Sequence, residues 1–190
     1  MRLHRWSAQT DEELMRGVQL GERGALTQLY RRYSKKMVRY FYRMLWRDEM
    51  KAQDFLHDLF VKFIERPEHF DQTRKFSTWM YSVAVNMCKN EYRKQSFRKS
   101  TEEELLLKAE IQIDQPSPDD SEFQRKLEVV LRQSDEADRH LFTLRFELDL
   151  PVQEIAKLLE CPEGTVKSRL FYFKRRLTDR LQVFNPAINQ

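Results

Sequence analysis

Two carboxylates and one imidazole stand close together in the sequence, at a spacing that could serve metal chemistry. Asp54, His57 and Asp58 are three and four residues apart, so a helix would carry them on one face. Such side chains can bind a metal ion, and a metal-dependent nuclease is one hypothesis. However, no second group of ligands accompanies them, and the other histidines, His4, His69 and His140, stand in no ligand motif. We therefore predict no metal or cofactor, and a polar helix face that binds a protein. Its residues are Gln53, Asp54, His57, Asp58 and Lys62.

A second group combines amide, basic and aromatic side chains. Asn86, Lys89, Asn90 and Arg93 share one face at helical spacing, and these groups suit contacts with phosphates and base edges. In the segment 74–81, just upstream, charged side chains are interleaved with aromatic ones. That mixture favours single-stranded nucleic acid, because aromatic rings stack on exposed bases. The alternative is that Phe76 and Trp79 belong to the core. The residues of this segment predicted to contact DNA are Lys75, Phe76, Ser77, Thr78 and Trp79.

The segment 152–170 has the pattern of a helix-turn-helix. A short helix with an apolar side comes first, and Pro162 and Glu163 then suit the first turn of a second helix. Between residues 164 and 183 there are six basic residues and one acidic residue. A helix-turn-helix places its second helix in the major groove of DNA. A plain helical hairpin would not explain why basic residues are concentrated on the second helix. The residues predicted to contact DNA are Thr165, Lys167, Ser168, Arg169, Phe171, Tyr172, Lys174 and Arg175.

Apolar residues recur at steps of three and four through most of the chain, which predicts an all-α fold. Thr10 and Glu13 have the spacing of a capping box, which opens a first short helix. Gly21 and Gly24 are expected to break that helix. Further helices are predicted over residues 25–45, 52–65, 77–94, 123–131 and 141–146.

Composition excludes several classes of protein. With only 4 Gly and 6 Pro in 190 residues, tight turns are few, which disfavours a β-rich fold and a Gly-rich phosphate loop. No stretch approaches the roughly 20 apolar residues of a spanning helix, and residues 1–10 lack the apolar centre of a signal peptide. The 2 cysteines form no CxxC pair. We therefore expect a reduced, cytoplasmic protein that does not insert into a membrane.

The net charge of +4 hides an uneven distribution. Residues 1–99 carry 21 basic and 12 acidic side chains, whereas residues 100–122 carry 1 basic and 8 acidic side chains. The acidic stretch, which contains two prolines, is typical of a flexible linker, and its charge could also compete with nucleic acid for the basic surfaces. This pattern predicts two small helical domains joined by an acidic flexible linker. The boundaries are a first domain at 1–97, a linker at 98–122, a second domain at 123–183 and a tail at 184–190.

These motifs, in this order, resemble the extracytoplasmic-function (ECF) group of the sigma-70 family of bacterial transcription initiation factors. Residues 52–60 read AQDFLHDLF, similar to the family's core-binding segment AEDLVQEVF. Residues 76–86 resemble the family's minus-ten segment, and residues 154–170 resemble its minus-thirty-five reader. The resemblance covers residues 12–183, nearly the whole chain.

The resemblance implies a sigma factor without catalytic activity. Its partners would be the clamp helices of the largest subunit of RNA polymerase, the flap of the second-largest subunit, and promoter DNA. The polar face of residues 53–62 would bind the clamp helices. The minus-ten element would be held as a single strand by residues 75–93, and the minus-thirty-five element would be read as a duplex by residues 165–175. An anti-sigma factor would hold the protein inactive by covering these surfaces.

The sequence also departs from the family pattern. Gln53 replaces a glutamate, and Glu160 stands where many helix-turn-helix sequences have glycine, which is expected to alter the turn. The runner-up hypothesis is a stand-alone helix-turn-helix regulator that binds duplex DNA by itself, usually as a dimer. That hypothesis leaves the segments 52–65 and 74–81 without a task.

Overall fold

The computed structural model describes residues 4–102 and 122–181, and within these two ranges every regular element is helical. The predicted all-α fold is therefore confirmed. The chain divides into two compact units, Met1–Arg93 and Lys94–Gln190. The helices are α1 (His4–Ser7), α2 (Asp11–Gln19), α3 (Arg23–Met44), α4 (Glu49–Glu65), α5 (Phe76–Glu102), α6 (Glu122–Arg132), α7 (Glu136–Phe142), α8 (Val152–Leu158) and α9 (Glu163–Leu181).

The capping box predicted at the start of α2 is confirmed. The Glu13 N–H donates to Thr10 Oγ1 at 3.2 Å, and the Thr10 N–H donates to Glu13 Oε2 at 2.8 Å. Of the two glycines expected to break the helix, Gly21 lies in the turn after it, with φ at +77°. Gly24 instead lies in the first turn of α3, where an added Cβ would overlap the Trp6 indole. Its role is close packing, so the prediction of a break at Gly24 was wrong.

The first unit is organised around α3 and α4, with α2 packed on α3. Most side chains at the predicted three- and four-residue steps meet in its core, because one face of each helix is apolar, whereas Tyr30 and Ile64 are exposed. Tyr40, Phe41 and Phe63 are its largest fully buried residues in these two helices. Aspartate 48 caps α4, accepting from the Lys51 N–H at 2.9 Å.

Helix α5 is longer than predicted. It begins at Phe76 and continues to Glu102, whereas the sequence predicted an end near residue 94 and a linker from residue 98. No glycine or proline occurs between residues 68 and 115, so no helix-breaking residue stops the helix at the predicted place. The rest of the predicted linker, apart from Glu122, lies outside the described residues.

In the second unit, α6, α7 and α8 each contact α9. Its core cluster consists of Leu131, Phe142 and Phe173, with Leu127 and Leu177 packed against it. The helix predicted over 141–146 begins earlier, at Glu136. It then widens into a π-helical turn over Thr143–Glu147, where the Leu148 N–H donates to the Thr143 carbonyl at 3.0 Å.

Within the described ranges, none of the helices has the length and apolar character needed to cross a membrane.

Candidate protein and nucleic-acid interfaces

The outer face of α4 carries the five residues predicted to bind a protein, and all of them are exposed. The opposite face of the helix is anchored in the core by Leu56, Leu59 and Phe63. The buried stripe therefore fixes the rotation of α4 and turns the polar face to solvent. The structure brings together Gln53, Asp54, His57, Asp58 and Lys62 on one surface, which we name the α4 face.

Each end of the α4 face has an exposed apolar side chain. Met50 is 80 % exposed and lies four and seven residues before Asp54 and His57, on the same side of the helix. The sequence pattern predicts an apolar stripe on α4 made of Phe55, Leu56, Leu59, Phe60, Phe63 and Ile64, but Ile64 is 54 % exposed in the last turn. Phe63, the residue before it, is fully buried, and adjacent residues on a helix point about 100° apart. When Phe63 points into the core, Ile64 therefore points away from it. Helical periodicity alone therefore overcounted the core here, and it gave no signal for Met50.

The three residues of the nuclease hypothesis lie on this exposed face. Among the residues that the structure describes, no group of three or more histidine, cysteine or carboxylate side chains is placed to hold a metal ion. The geometry therefore gives the nuclease hypothesis no ligand set in this part of the chain.

The predicted minus-ten residues divide by exposure. Lys75, Asn86, Asn90 and Arg93 are exposed, which leaves their polar groups accessible to a ligand. The other members of the set, apart from Phe76, are half-buried: Ser77, Thr78, Trp79 and Lys89. We name the exposed and half-buried residues together the α5 face.

Phe76 is fully buried, so its ring is not available to stack on a base. It packs edge-on against Tyr33 and Phe63 with ring centroids 5.6 Å apart in each pair, and against Phe70 at 5.8 Å. The prediction of a DNA contact by the Phe76 ring is therefore corrected, because the core reading applies to this residue. Trp79 fits both the core and the stacking interpretation. Its ring centroid lies 4.9 Å from that of Phe63, while the side chain remains half-buried.

The loop before α5 is ordered by a local turn. The Asp71 carboxylate accepts from the Thr73 N–H at 2.9 Å and from the Thr73 hydroxyl at 2.8 Å. These two hydrogen bonds, with the nearby Arg74, lower the pKa of Asp71. The carboxylate is therefore ionised at neutral pH and keeps the turn that presents Arg74 and Lys75 to solvent.

The helix-turn-helix prediction is supported by α8 and α9, which pack together across a four-residue turn over residues 159–162. Ile155 and Ala156 from α8 and Val166 from α9 are buried. Pro162 lies immediately before the first residue of α9, and its carbonyl accepts from the Thr165 and Val166 N–H groups at 2.9 and 3.2 Å. This arrangement leaves the opposite side of α9 free to contact a partner.

Glu160 adopts the backbone conformation that glycine favours. Its φ is +54°, in the left-handed region, whereas the absence of glycine predicted an altered turn. The chain therefore keeps a glycine-like turn with a non-glycine residue. A side chain there costs of the order of 1 kcal/mol, because its Cβ crowds the backbone.

Glu160→Gly is expected to stabilise the second unit by about 1 kcal/mol, because it relieves this strain. Urea unfolding of the full chain followed by far-UV circular dichroism measures the effect. All 3 tryptophans lie in the first unit, so their fluorescence serves as an internal reference that should not shift. Glu160→Ala is the control, since it removes the carboxylate but keeps a Cβ. An equal gain in the alanine variant would contradict the strain argument.

The eight residues of α9 predicted to contact DNA are all exposed. Two of them are aromatic: Phe171 is 64 % exposed and Tyr172 is 61 % exposed, with ring centroids 5.5 Å apart. On the opposite side Val166 and Phe173 are fully buried, so the helix presents one apolar and one mixed basic and aromatic surface. We name the exposed residues the α9 face: Thr165, Lys167, Ser168, Arg169, Phe171, Tyr172, Lys174 and Arg175.

Sequence reasoning missed an ion pair at the edge of this face. Arg176 donates to the carboxylate of Asp138, which is only 4 % exposed, and the guanidinium lies 5.6 Å from the centre of the Phe173 ring. Arg176 thus neutralises a buried charge and ties α9 to α7. Because 38 residues separate the partners, no local spacing could have indicated the pair.

Comparison with known proteins places both units in one family. Residues 29–98 match the profile of sigma-70 region 2, and residues 125–177 match that of sigma-70 region 4. An ECF RNA polymerase sigma-E factor of Haemophilus influenzae is 30 % identical over 183 residues, covering 91 % of this chain and 96 % of that protein. The ECF RNA polymerase sigma factor SigW of Bacillus subtilis is 27 % identical, covering 87 % and 93 %.

Solved structures show the same fold. The sigma factor RpoE of Bartonella quintana, in complex with the anti-sigma factor NepR, has a TM-score of 0.70 at 17 % identity, covering 84 % of this chain and 98 % of that one. CnrH in complex with the cytosolic domain of CnrY has a TM-score of 0.67 at 20 % identity, covering 92 % and 99 %. The two region matches cover parts of both units, and the two sigma factors match this chain over nearly its full length. The chain therefore belongs to the ECF group of the sigma-70 family.

Proposed function

We propose that this sigma factor uses three separate faces to start transcription. As a sigma factor it recognises promoters and initiates transcription with RNA polymerase, without catalysis of its own. The α4 face would bind the core enzyme, the α5 face would hold the minus-ten element, and the α9 face would read the minus-thirty-five element. The observation that supports this assignment is that three helices present exposed functional residues in the chain order of sigma regions 2 and 4.

The α4 face suits a protein partner. It has charged and amide groups at its centre and an exposed apolar residue at each end, Met50 and Ile64. Interfaces of this kind gain affinity from a few apolar anchors, and specificity from the polar groups beside them. We assign the face to the clamp helices of the largest subunit. The flap of the second-largest subunit is assigned to the second unit.

The α5 face suits an unpaired strand. Lys75 and Arg93 can neutralise phosphates, and Asn86 and Asn90 can form hydrogen bonds with base edges. The half-buried Trp79 offers part of an aromatic surface beside the loop over residues 70–75, where a flipped base would be bound.

The α9 face suits duplex DNA in the major groove. Arg169 can donate two hydrogen bonds to a guanine, and Lys167, Lys174 and Arg175 can contact phosphates. Phe171 has no polar group, so its exposed ring suits the methyl group of a thymine.

The assignment also gives each part of the chain a place. Residues 1–97 would be sigma domain 2, residues 98–122 a connecting segment, residues 123–183 sigma domain 4 and residues 184–190 a tail. Because the proposed partners are RNA polymerase and promoter DNA, we place the protein in the cytoplasm. An anti-sigma factor is proposed as its regulator, since RpoE was solved in complex with the anti-sigma factor NepR and CnrH in complex with the cytosolic domain of CnrY.

Reconstitution with core RNA polymerase tests the proposal. The purified chain and core enzyme are incubated with genomic DNA, and the 5′ ends of the transcripts are sequenced. We expect transcripts that start at defined sites, absent with core enzyme alone. The free chain should bind the same duplex sites weakly. Tight duplex binding by the free chain, with no new start sites, would instead favour the stand-alone regulator.

A further inference from the structure

Helix α2 contacts the whole length of the loop over residues 66–75, which precedes α5. The helix spans Asp11–Gln19 and lies before residue 29, where the match to sigma-70 region 2 begins. Neither the motifs nor the family match gives α2 a function. Its polar side chains nevertheless reach both ends and the middle of the loop over residues 66–75.

The first end of the loop is held by Gln19. Its side-chain Nε2 donates to the Pro67 carbonyl at 2.9 Å and to the Phe70 carbonyl at 3.2 Å. Both bonds are partly buried, and they satisfy two backbone carbonyls on either side of the turn that follows α4. One amide group therefore fixes the path of four consecutive residues.

The middle of the loop is held through Gln72. Its Oε1 accepts from Arg16 Nε at 2.9 Å, and its Nε2 donates to Gln19 Oε1. Gln72 directly follows Asp71, the residue that forms the local turn with Thr73. The turn itself is thus attached to α2.

The far end of the loop is held by Glu12. Its Oε1 accepts from the Phe76 N–H at 2.9 Å, at the first residue of α5. Lysine 75, which precedes that residue, has no side-chain acceptor and cannot cap the helix. A carboxylate from α2 performs this task instead, and its charge suits the positive end of the helix dipole.

Helix α2 is itself firmly placed. Leu14 and Met15 are fully buried, and Asp11 forms an ion pair with Arg32 at 2.6 Å as well as accepting from the Tyr33 hydroxyl. The contacts on the loop therefore come from a rigid support.

We propose that α2 is a positioning element for the loop over residues 66–75, which we call the minus-ten loop. Helix α2 acts through Glu12 and Gln19, and Gln72 is the loop residue that receives part of these contacts. It holds the loop in the conformation that receives the unpaired strand, so that less ordering is needed when DNA binds. This inference rests on the proposed function. Since α2 contributes no residue to the α4 face or the α9 face, its effect is confined to the minus-ten step.

The test compares the binding of a single strand with two other measurements. Holoenzyme is assembled from core RNA polymerase and the full chain carrying Glu12→Ala with Gln19→Ala. A fluorescent oligonucleotide supplies the non-template strand of a start site mapped with the wild-type protein. We expect the affinity for the oligonucleotide to fall about tenfold, because the loop must now be ordered on binding. The affinity for core enzyme and that for duplex minus-thirty-five DNA should stay unchanged.

Two further variants separate positioning from general damage. Gln72→Ala leaves α2 intact and should lower the oligonucleotide affinity about threefold. Glu12→Gln keeps an oxygen acceptor for the Phe76 N–H and, combined with native Gln19, should restore most of the affinity. Gln28→Ala, which shortens a glutamine of α3 instead, is the matched control. If all variants bind the oligonucleotide as tightly as the wild type does, the positioning role is excluded. Failure of the wild-type holoenzyme to bind any such strand would overturn the proposed function itself.

Discussion

Replacing Asp54 and Asp58 by alanine is expected to lower the affinity for core RNA polymerase about a hundredfold, or ~3 kcal/mol. Both carboxylates are exposed in the free protein and lie four residues apart at the centre of the α4 face. In the complex they would be desolvated and paired with basic groups of the clamp helices. Removal of an acid from such a pair leaves the opposite charge buried without a partner, which accounts for the size of the effect.

The change should affect association and leave folding intact. Neither side chain contributes to the core, so thermal unfolding should differ little from that of the wild type. The control is Glu22→Ala with Glu68→Ala, which removes the same charge from two acids that lie outside α4. Fluorescence anisotropy of the labelled chain, titrated with core enzyme, measures both variants. Equal affinities for the two variants would exclude the α4 face from the contact.

Met50 and Ile64 extend the same argument to apolar contacts. Charged residues at an interface mainly set specificity and rate, whereas buried apolar anchors supply much of the affinity. The motif in residues 52–60 contains Asp54, His57 and Asp58, but it begins after Met50 and ends before Lys62 and Ile64. Because both side chains are exposed, the interface that we propose for the α4 face is longer than the motif by about one helical turn.

The sequence was sufficient for the helices because their signals are local. A capping box at Thr10, an apolar stripe through α4 and a proline before α9 each act within one or two turns. The errors arose where a local signal was absent or was overridden by the tertiary fold. The Gly24 prediction failed because a tertiary contact with Trp6 decides the role of that glycine, and the end of α5 was misplaced because charge composition alone does not stop a helix.

The candidate faces were predictable for a similar reason, whereas the contacts that support them were not. Residues on one face of a helix recur at steps of three and four, and these steps can be read from the sequence. All members of the α4 face and the α9 face could therefore be predicted. Phe76 was misassigned because an aromatic residue beside a basic loop fits both a core and a stacking surface. The contact between Glu12 and the Phe76 N–H spans 64 residues, and the pair of Arg176 with Asp138 spans 38. Such pairings depend on the tertiary fold and leave no pattern in the chain.

The ion pair of Arg176 also limits what α9 can offer to DNA. Its guanidinium already compensates a buried carboxylate, and moving it to a phosphate would leave Asp138 unpaired in the core. The phosphate contacts that we propose for α9 would then be made by Lys167, Lys174 and Arg175. Few such contacts make binding weak at physiological salt. This fits a protein that needs the polymerase to hold it on the promoter.

Arg169→Ala is expected to reduce transcription from a native promoter about 5- to 150-fold, which corresponds to a loss of about 1–3 kcal/mol. Arg169 is exposed, in the first half of α9, the part of a recognition helix that approaches the base edges. A guanidinium that donates two hydrogen bonds to a guanine discriminates one base pair. The variant should therefore lose both affinity and preference at a single position of the minus-thirty-five element.

Transcription by reconstituted holoenzyme, measured on a set of promoters with each minus-thirty-five position changed in turn, separates these two losses. For the wild type, one changed guanine should lower output as much as the mutation does, and on that promoter the wild type and the variant should be equal. Arg132→Ala, an exposed arginine on α6, serves as the matched control. A uniform loss across all promoters would assign Arg169 to a phosphate, since a phosphate contact carries no base preference. Unchanged transcription from the native promoter would exclude a DNA contact by Arg169.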